Sequence, residues 1–347
     1  MEKGKVFMST SSYQIIKNPL GIIADEIASH EKIYLSCKAM NALDENKIRD
    51  IKELINERKK DLLKAKESST LPKKIYKFVS LDDNDCQNEK KFHSLRIDSI
   101  WFSCFNRLND PYEFLASSLM RIKTASDISF GSSIGETQKQ TEEVYEAFCK
   151  ELNLVKGNMH IACFVDRAND NLPFWAHYAG NNRGFCLEYE IIEDIYLHEV
   201  KYVKSRVNAD RMFNAFKHNY DEVKKLSNRE TNAENSLNKG RKLQQTIRAP
   251  FTSFVLSHCT DEYITKHNSW EYEREYRILK LNDLGIDSAN IDGGHASVSE
   301  CGLRLIAIYC GVNCTKQHEA DLKGIAESKG VLISRCEVDD VDFILFR

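Results

Sequence analysis

Three short clusters hold the residue types in this chain that could do chemistry. They are Asn109-Asp110-Pro111-Tyr112-Glu113, Trp175-Ala176-His177-Tyr178-Ala179 and Trp270-Glu271-Tyr272-Glu273-Arg274-Glu275-Tyr276-Arg277. Each joins aromatic rings to groups that carry charge or hydrogen bonds. Read as a strand, the third cluster puts Glu271, Glu273, Glu275 and Arg277 on one face and Trp270, Tyr272, Arg274 and Tyr276 on the other. Carboxylates in a row repel one another unless a cation or a ligand offsets them. Two readings stay open. The segment is a solvated edge strand, or it is a site where one carboxylate acts and Arg277 or Arg274 holds its neighbour. A glutamate held in this way can stabilise an oxocarbenium-like centre, accept a proton or bind a metal.

The other two clusters also have a structural and a functional reading. Asp110 fits a helix N-cap, Pro111 the first helical position and Glu113 the return half of a capping box. The same helix end would point backbone N–H groups at an anion and leave Asn109 to hydrogen-bond a ligand. In the middle cluster Pro173 marks a helix start, and spacings of three and four put Trp175, Tyr178 and Ala179 on one face. That face is either core packing or the wall of a site for a flat ring, beside the polar loop Asp166–Asn171. His177 points elsewhere on the helix.

The elements that must position these clusters follow from periodicity. Leu43–Ala65, with Ile48, Ile51, Ile55, Leu62 and Leu63 at helical spacing, predicts an amphipathic helix ending before Pro72. Its Lys-rich face (Lys59, Lys60, Lys64, Lys66) reads as solvated. Strands are expected at 75–79, 100–105, 160–165, 184–189, 200–203, 275–279, 303–311, 331–337 and 341–346. Helices are expected at 88–95, 142–152 and 316–329, the last with Gly330 as its C-cap. Strands and helices alternate without a regular βαβ rhythm, which favours α+β over a doubly wound sheet. Residues 1–72 read as a helical N-terminal extension and 73–347 as a single α+β domain, with a helical insert around 205–260 that contains the polar run Ser227–Gly240.

Composition narrows the class. The chain has 347 residues, 42% hydrophobic and 29% charged, enough to bury a core. A net charge of -3 argues against a whole-surface grip on nucleic acid. No apolar run is long enough for a membrane span, and the N-terminus lacks the apolar stretch of a secretory signal, so a cytoplasmic protein without membrane contact is expected. The 11 cysteines are irregularly spaced, and most lie in apolar stretches, as reduced core thiols do. No ligand spacing beside Cys310 and Cys314 suggests zinc, and no metal is expected.

Taken in order, Ile75-Tyr76-Lys77-Phe78, Ile100-Trp101-Phe102-Ser103, Asn109–Glu113, Cys163-Phe164, Trp175–Ala179 with Gly184, Trp270–Ile278 and Ile308-Tyr309-Cys310-Gly311 resemble a bacterial family of unknown function, number 2971 in the domain-of-unknown-function series. The resemblance covers residues 73–347 and leaves 1–72 and the Ser227–Gly240 run unexplained. Val165 stands where the pattern leads one to expect a small polar residue, so no hydroxyl role is expected there.

The motif layout is in turn similar to that of ADP-ribosyltransferase-like domains, which bind NAD in a cleft of a split, mostly antiparallel sheet. The fold class expected is therefore α+β: a mixed, mostly antiparallel sheet with flanking helices. By that analogy Lys77, with Tyr76 and Asn109, holds the cofactor, and Lys77 contacts its diphosphate. Trp175 and Tyr178 pack on nicotinamide. Glu275 or Glu273 is catalytic, with Arg277 beside them. The analogy implies an NAD-using transferase or NAD-cleaving enzyme of a toxin or phage-defence kind, with a protein or nucleic-acid acceptor left open. Two other readings compete: a metal-dependent nuclease built on Asp110, Glu113, Glu273 and Glu275, and a non-enzymatic ligand-sensing or interaction module.

Overall fold

A computed structural model of the chain describes residues 13–40, 45–68, 71–82, 87–110, 137–205, 213, 262–282 and 293–338. Pro111–Glu113, the Ser227–Gly240 run and the strand expected at Val341–Phe346 lie outside the described residues. In chain order the elements are β1 (Tyr13–Ile15), α1 (Pro19–Met40), α2 (Glu45–Ser68), β2 (Lys74–Val79), α3 (Asn88–Arg96), β3 (Ser99–Cys104), α4 (Thr137–Asn158) and β4 (Met159–Val165). They continue with α5 (Leu172–His177), β5 (Phe185–Ile191), β6 (His198–Glu199), β7 (Lys201–Val203), β8 (Thr265–His267) and β9 (Glu275–Asn282). The chain closes with β10 (Gly293–Ser297), β11 (Leu303–Cys310), α6 (Lys316–Lys329) and β12 (Leu332–Arg335). Gly330 ends α6 in the left-handed conformation at φ 65°, as a C-cap glycine does.

The fold is α+β, with a mostly antiparallel open sheet and several helices, as expected. Among the described residues the main sheet runs β1-β9-β4-β2-β5-β11-β12, with β3 on β4, β10 on β3 and β6 on β9. Only the edge pair β11–β12 is parallel in it, and β7 and β8 form a separate parallel pair. Residues directly opposed in register share a face of the sheet. Glu275, Val165, Tyr76 and Glu188 therefore form one row across β9, β4, β2 and β5.

Alternation along β9 sorts the two faces. Tyr276 and Ile278 join a core with Phe92 and Leu95 of α3 and Leu322 and Ile325 of α6. Leu279 and Leu281 join a second core built on Val144, Phe148, Leu152 and Val155 of α4. Each fully buried aliphatic or aromatic side chain contributes about 1.5–3 kcal/mol, so both faces of β9 are anchored.

Two expectations need correction. The segment read as a helical extension contains β1, whose Tyr13–Ile15 pairs antiparallel with Lys280–Asn282. The helix expected over Leu43–Ala65 is α2, and it packs on α1 with ion pairs Arg58–Glu26 at 3.2 Å and Lys59–Glu31 at 2.6 Å. Lys59 is thus partnered, not merely solvated. The second correction concerns β9. A solvated edge strand is excluded, because β4 lines one side, β1 and β6 the other, and every residue of β9 is buried. Among the described residues no helix is long and apolar enough to cross a membrane.

The loop that delivers the chain from α5 to β5 turns at Gly184. A Cβ placed there would lie 2.0 Å from the Val79 carbonyl oxygen and 3.0 Å from that of Ala179. Both are backbone atoms, so no rotamer change relieves the overlap. Gly184→Ala is expected to lower stability by about 2–3 kcal/mol, read as an earlier urea unfolding midpoint. An unchanged midpoint contradicts this packing.

Candidate functional site

The third cluster is not one strand. Asn268–Glu273 winds as a 3-10 helix, Arg274 turns left-handed at φ 48°, and β9 begins at Glu275. The expected alternation therefore breaks. Glu271 is exposed and takes no part in a carboxylate row. Glu273 and Glu275 instead approach a common partner from two different elements.

That partner is Lys266 of β8, which belongs to none of the three clusters. Its ammonium donates to Glu273 Oε2 and, at 3.2 Å, to Glu275 Oε2, and it stands 4.7 Å from the centre of the Trp270 ring. Arg277, two residues along β9 and on the same face as Glu275, donates from Nε to Glu275 Oε1 at 2.8 Å and from Nη2 to Oε2 at 3.1 Å. Its Nη1 donates to the Tyr263 carbonyl at 2.7 Å. The parallel pairing of β7 with β8 sets Tyr202 beside Lys266, and the Glu275 backbone N–H donates to the Tyr202 hydroxyl at 2.8 Å. Two carboxylates and two cations thus balance inside the protein, with Lys266, Glu273, Glu275 and Arg277 all buried.

The electrostatics follow from this arrangement. Burial would raise the Glu275 pKa, but Arg277 and Lys266 outweigh it and hold the carboxyl at about 2. Burial pushes the Cys163 thiol well up, and its S–H donates to the same carboxylate. Tyr178 donates to Glu273 Oε1 at 2.7 Å, and its ring stacks on Phe174 with centroids 4.5 Å apart. Burial and then that bond to Glu273 push the Tyr178 hydroxyl strongly up, so it stays a protonated donor. Asn109, which is exposed, hydrogen-bonds the Tyr178 hydroxyl. A continuous chain of contacts therefore runs Asn109–Tyr178–Glu273–Lys266–Glu275–Arg277.

Lys77 lies at a seam in the sheet. β2 meets β4 at the single register pair Tyr76↔Val165, and the Lys77 ammonium donates to the Cys163 carbonyl at 3.3 Å where the two strands part. It also stands 5.2 Å from the Phe164 ring centre. Burial pushes its pKa down, while the Glu275 carboxylate favours the ammonium. Tyr76 sits in the row next to Val165, half-buried. Burial, then the Glu188 carboxylate, raises its hydroxyl to about 12.

The remaining sequence-based candidates fall outside this network. Trp175 is fully buried, meets Phe78 edge-on at 5.1 Å and donates its indole N–H to the Ala168 carbonyl at 2.9 Å. Of its two readings, the structure places it in core packing. His177 is exposed, and Asp110 is buried. Lys266 and Tyr202 were the missed members. The signal for Lys266 was indirect: two buried glutamates next to one arginine leave a charge that needs a second cation.

This geometry defines an α+β protein with a charge-balanced carboxylate centre on one face of its sheet. Residues 174–278 match the model of a family described as a protein of unknown function (DUF2971), which bears out the family resemblance over that stretch. The matched stretch holds Tyr178, Tyr202, Lys266, Glu273, Glu275 and Arg277. Nothing matches among curated proteins or among solved structures.

The depressed Glu275 pKa carries a pH signature. A carboxyl whose folded pKa lies below its unfolded value stabilises the fold fully above the unfolded pKa, and loses that contribution as pH falls through the folded one. A shift from 4.5 to about 2 corresponds to about 3 kcal/mol. Stability is therefore expected to fall between pH 4.5 and about 2. Glu275→Gln should flatten that segment of a denaturation-versus-pH curve. An unflattened curve would place the acid sensitivity elsewhere.

Proposed function

We propose that the chain is an enzyme that takes NAD and breaks or transfers its N-glycosidic bond, with Glu275 as the fixed carboxylate. One observation carries this reading: a glutamate held ionised by Arg277 and Lys266 on a sheet face, and joined through Glu273 and Tyr178 to the exposed Asn109. An oxocarbenium-like centre develops positive charge as nicotinamide leaves. A preorganised carboxylate in a water-poor site lowers that barrier more than it binds the ground state. In this reading Tyr178, backed by Phe174, meets the flat leaving ring, and Glu273 orients the acceptor through Tyr178. Tyr76 lies in the Glu275 row beside the seam, whereas Lys77, one residue on, turns to the Phe164 side of it. The acceptor is a protein, a nucleic acid or water. With water, NAD is consumed, the chemistry by which such an enzyme acts as a toxin or a phage-defence effector.

The metal-nuclease reading has less support. The Lys266 ammonium occupies the position between Glu273 and Glu275 that a divalent ion would take.

Nicotinamide release from NAD by the purified chain is the test. The wild type should release it, and Glu275→Gln, assayed at a temperature where circular dichroism shows it folded, should lower the rate by about 100-fold or more. NAD binding without release would instead favour a sensing module. Neither binding nor release would remove the proposal.

A further inference from the structure

Glu273 is a carboxylate that solvent reaches only through a neighbour. It is 2% exposed, and among the described residues its Oε1 accepts from the Tyr178 hydroxyl at 2.7 Å and its Oε2 from the Lys266 ammonium. Lys266 is buried as well. Tyr178 is half-buried, and its ring is held by stacking on Phe174. The phenol is therefore the group through which a molecule in solvent exchanges a proton with Glu273.

The outer side of that phenol is already marked by a donor. The exposed Asn109 side chain hydrogen-bonds the Tyr178 oxygen and pulls its pKa down, as an N–H donated to the oxygen does. A phenol both donates and accepts. With its O–H turned to Glu273, its oxygen accepts from outside: an N–H from Asn109, or an O–H in the place of that amide. Asn109 faces solvent, so water is the molecule at hand when the amide turns away. Burial, then the bond to Glu273, pushes the Tyr178 hydroxyl strongly up, so a phenolate does not form and a proton must enter as another leaves.

We propose that the acceptor is water, and that Tyr178 carries its proton to Glu273. This rests on the NAD reading of the same site and sharpens it. As the bond between nicotinamide and the ribose anomeric carbon breaks, its electron pair leaves with nicotinamide, which departs neutral. A lone pair of the water oxygen forms the new C–O bond at that carbon. The water gives a proton to the Tyr178 oxygen, and the Tyr178 proton passes to Glu273 Oε1. Lys266 stays bonded to Glu275 meanwhile, so its ammonium keeps a carboxylate partner. The proton returns to bulk water by the same route, and the products are nicotinamide, ADP-ribose and one proton.

The test follows nicotinamide release from NAD by the full chain with two nucleophiles: water, which must lose a proton, and azide, which has none to lose. Tyr178→Phe keeps the ring on Phe174 and removes the carrier. It should lower release in water by about 100-fold, and azide should recover most of that loss and yield the glycosyl azide. The wild-type reaction with water should also be slower in heavy water, a measurement that needs no variant and serves if Tyr178→Phe does not fold. A Tyr178→Phe protein as fast as wild type in water, or one that azide does not restore, overturns the relay. So does a wild type equally fast in heavy water, or one that releases nicotinamide only when a protein or nucleic acid is added. Those outcomes leave the NAD reading standing, whereas a wild type that releases nicotinamide under none of these conditions removes both.

Discussion

The site depends on one constraint: two carboxylates and two cations must be buried together or not at all. Moving any one of these charges out of water without a partner is strongly unfavourable, and breaking a buried pair typically destabilises a protein by about 3–5 kcal/mol. Lys266, Glu273, Glu275 and Arg277 meet this by arriving from three elements, β8, the 3-10 helix and β9. The left-handed turn at Arg274 is what lets Glu273 and Glu275 face one ammonium instead of lying in a repelling row. Burial of β9 between β4 on one side and β1 and β6 on the other keeps water away and makes the pairing strong.

Much of the scaffold was legible because it follows simple periodicities. The runs His160–Val165, Gly184–Tyr189 and Leu303–Gly311 are apolar and β-branched or aromatic, and β4, β5 and β11 form there. The spacing of Trp175 and Tyr178 marked one helical face, but not that the first ring is core and the second a hydrogen-bond donor to Glu273. That distinction is tertiary: it depends on Phe78 and Ala168 closing over the indole.

Three features were not legible, each for a physical reason. Tyr13–Ile15 is too short to show a strand pattern and is held by pairing with β9. The αL turn at Arg274 carries neither Gly nor Asn, the residues that announce such a turn. Lys266 belongs to no motif, and its role follows only from the parallel pairing of β7 with β8, which sets it beside Tyr202. The charge pattern Glu273-x-Glu275-x-Arg277 marks residues that the structure joins in one buried network. It implied a missing cation without naming it.

The coupling between Lys266 and Glu275 is tested most directly by a double-mutant cycle of unfolding free energy. Lys266→Met and Glu275→Gln are each expected to destabilise strongly, since each leaves an unmatched buried charge. The double variant should recover about 2 kcal/mol or more relative to the sum of the two singles. Additivity within about 0.5 kcal/mol would mean that the two groups do not share one network, and would contradict the account.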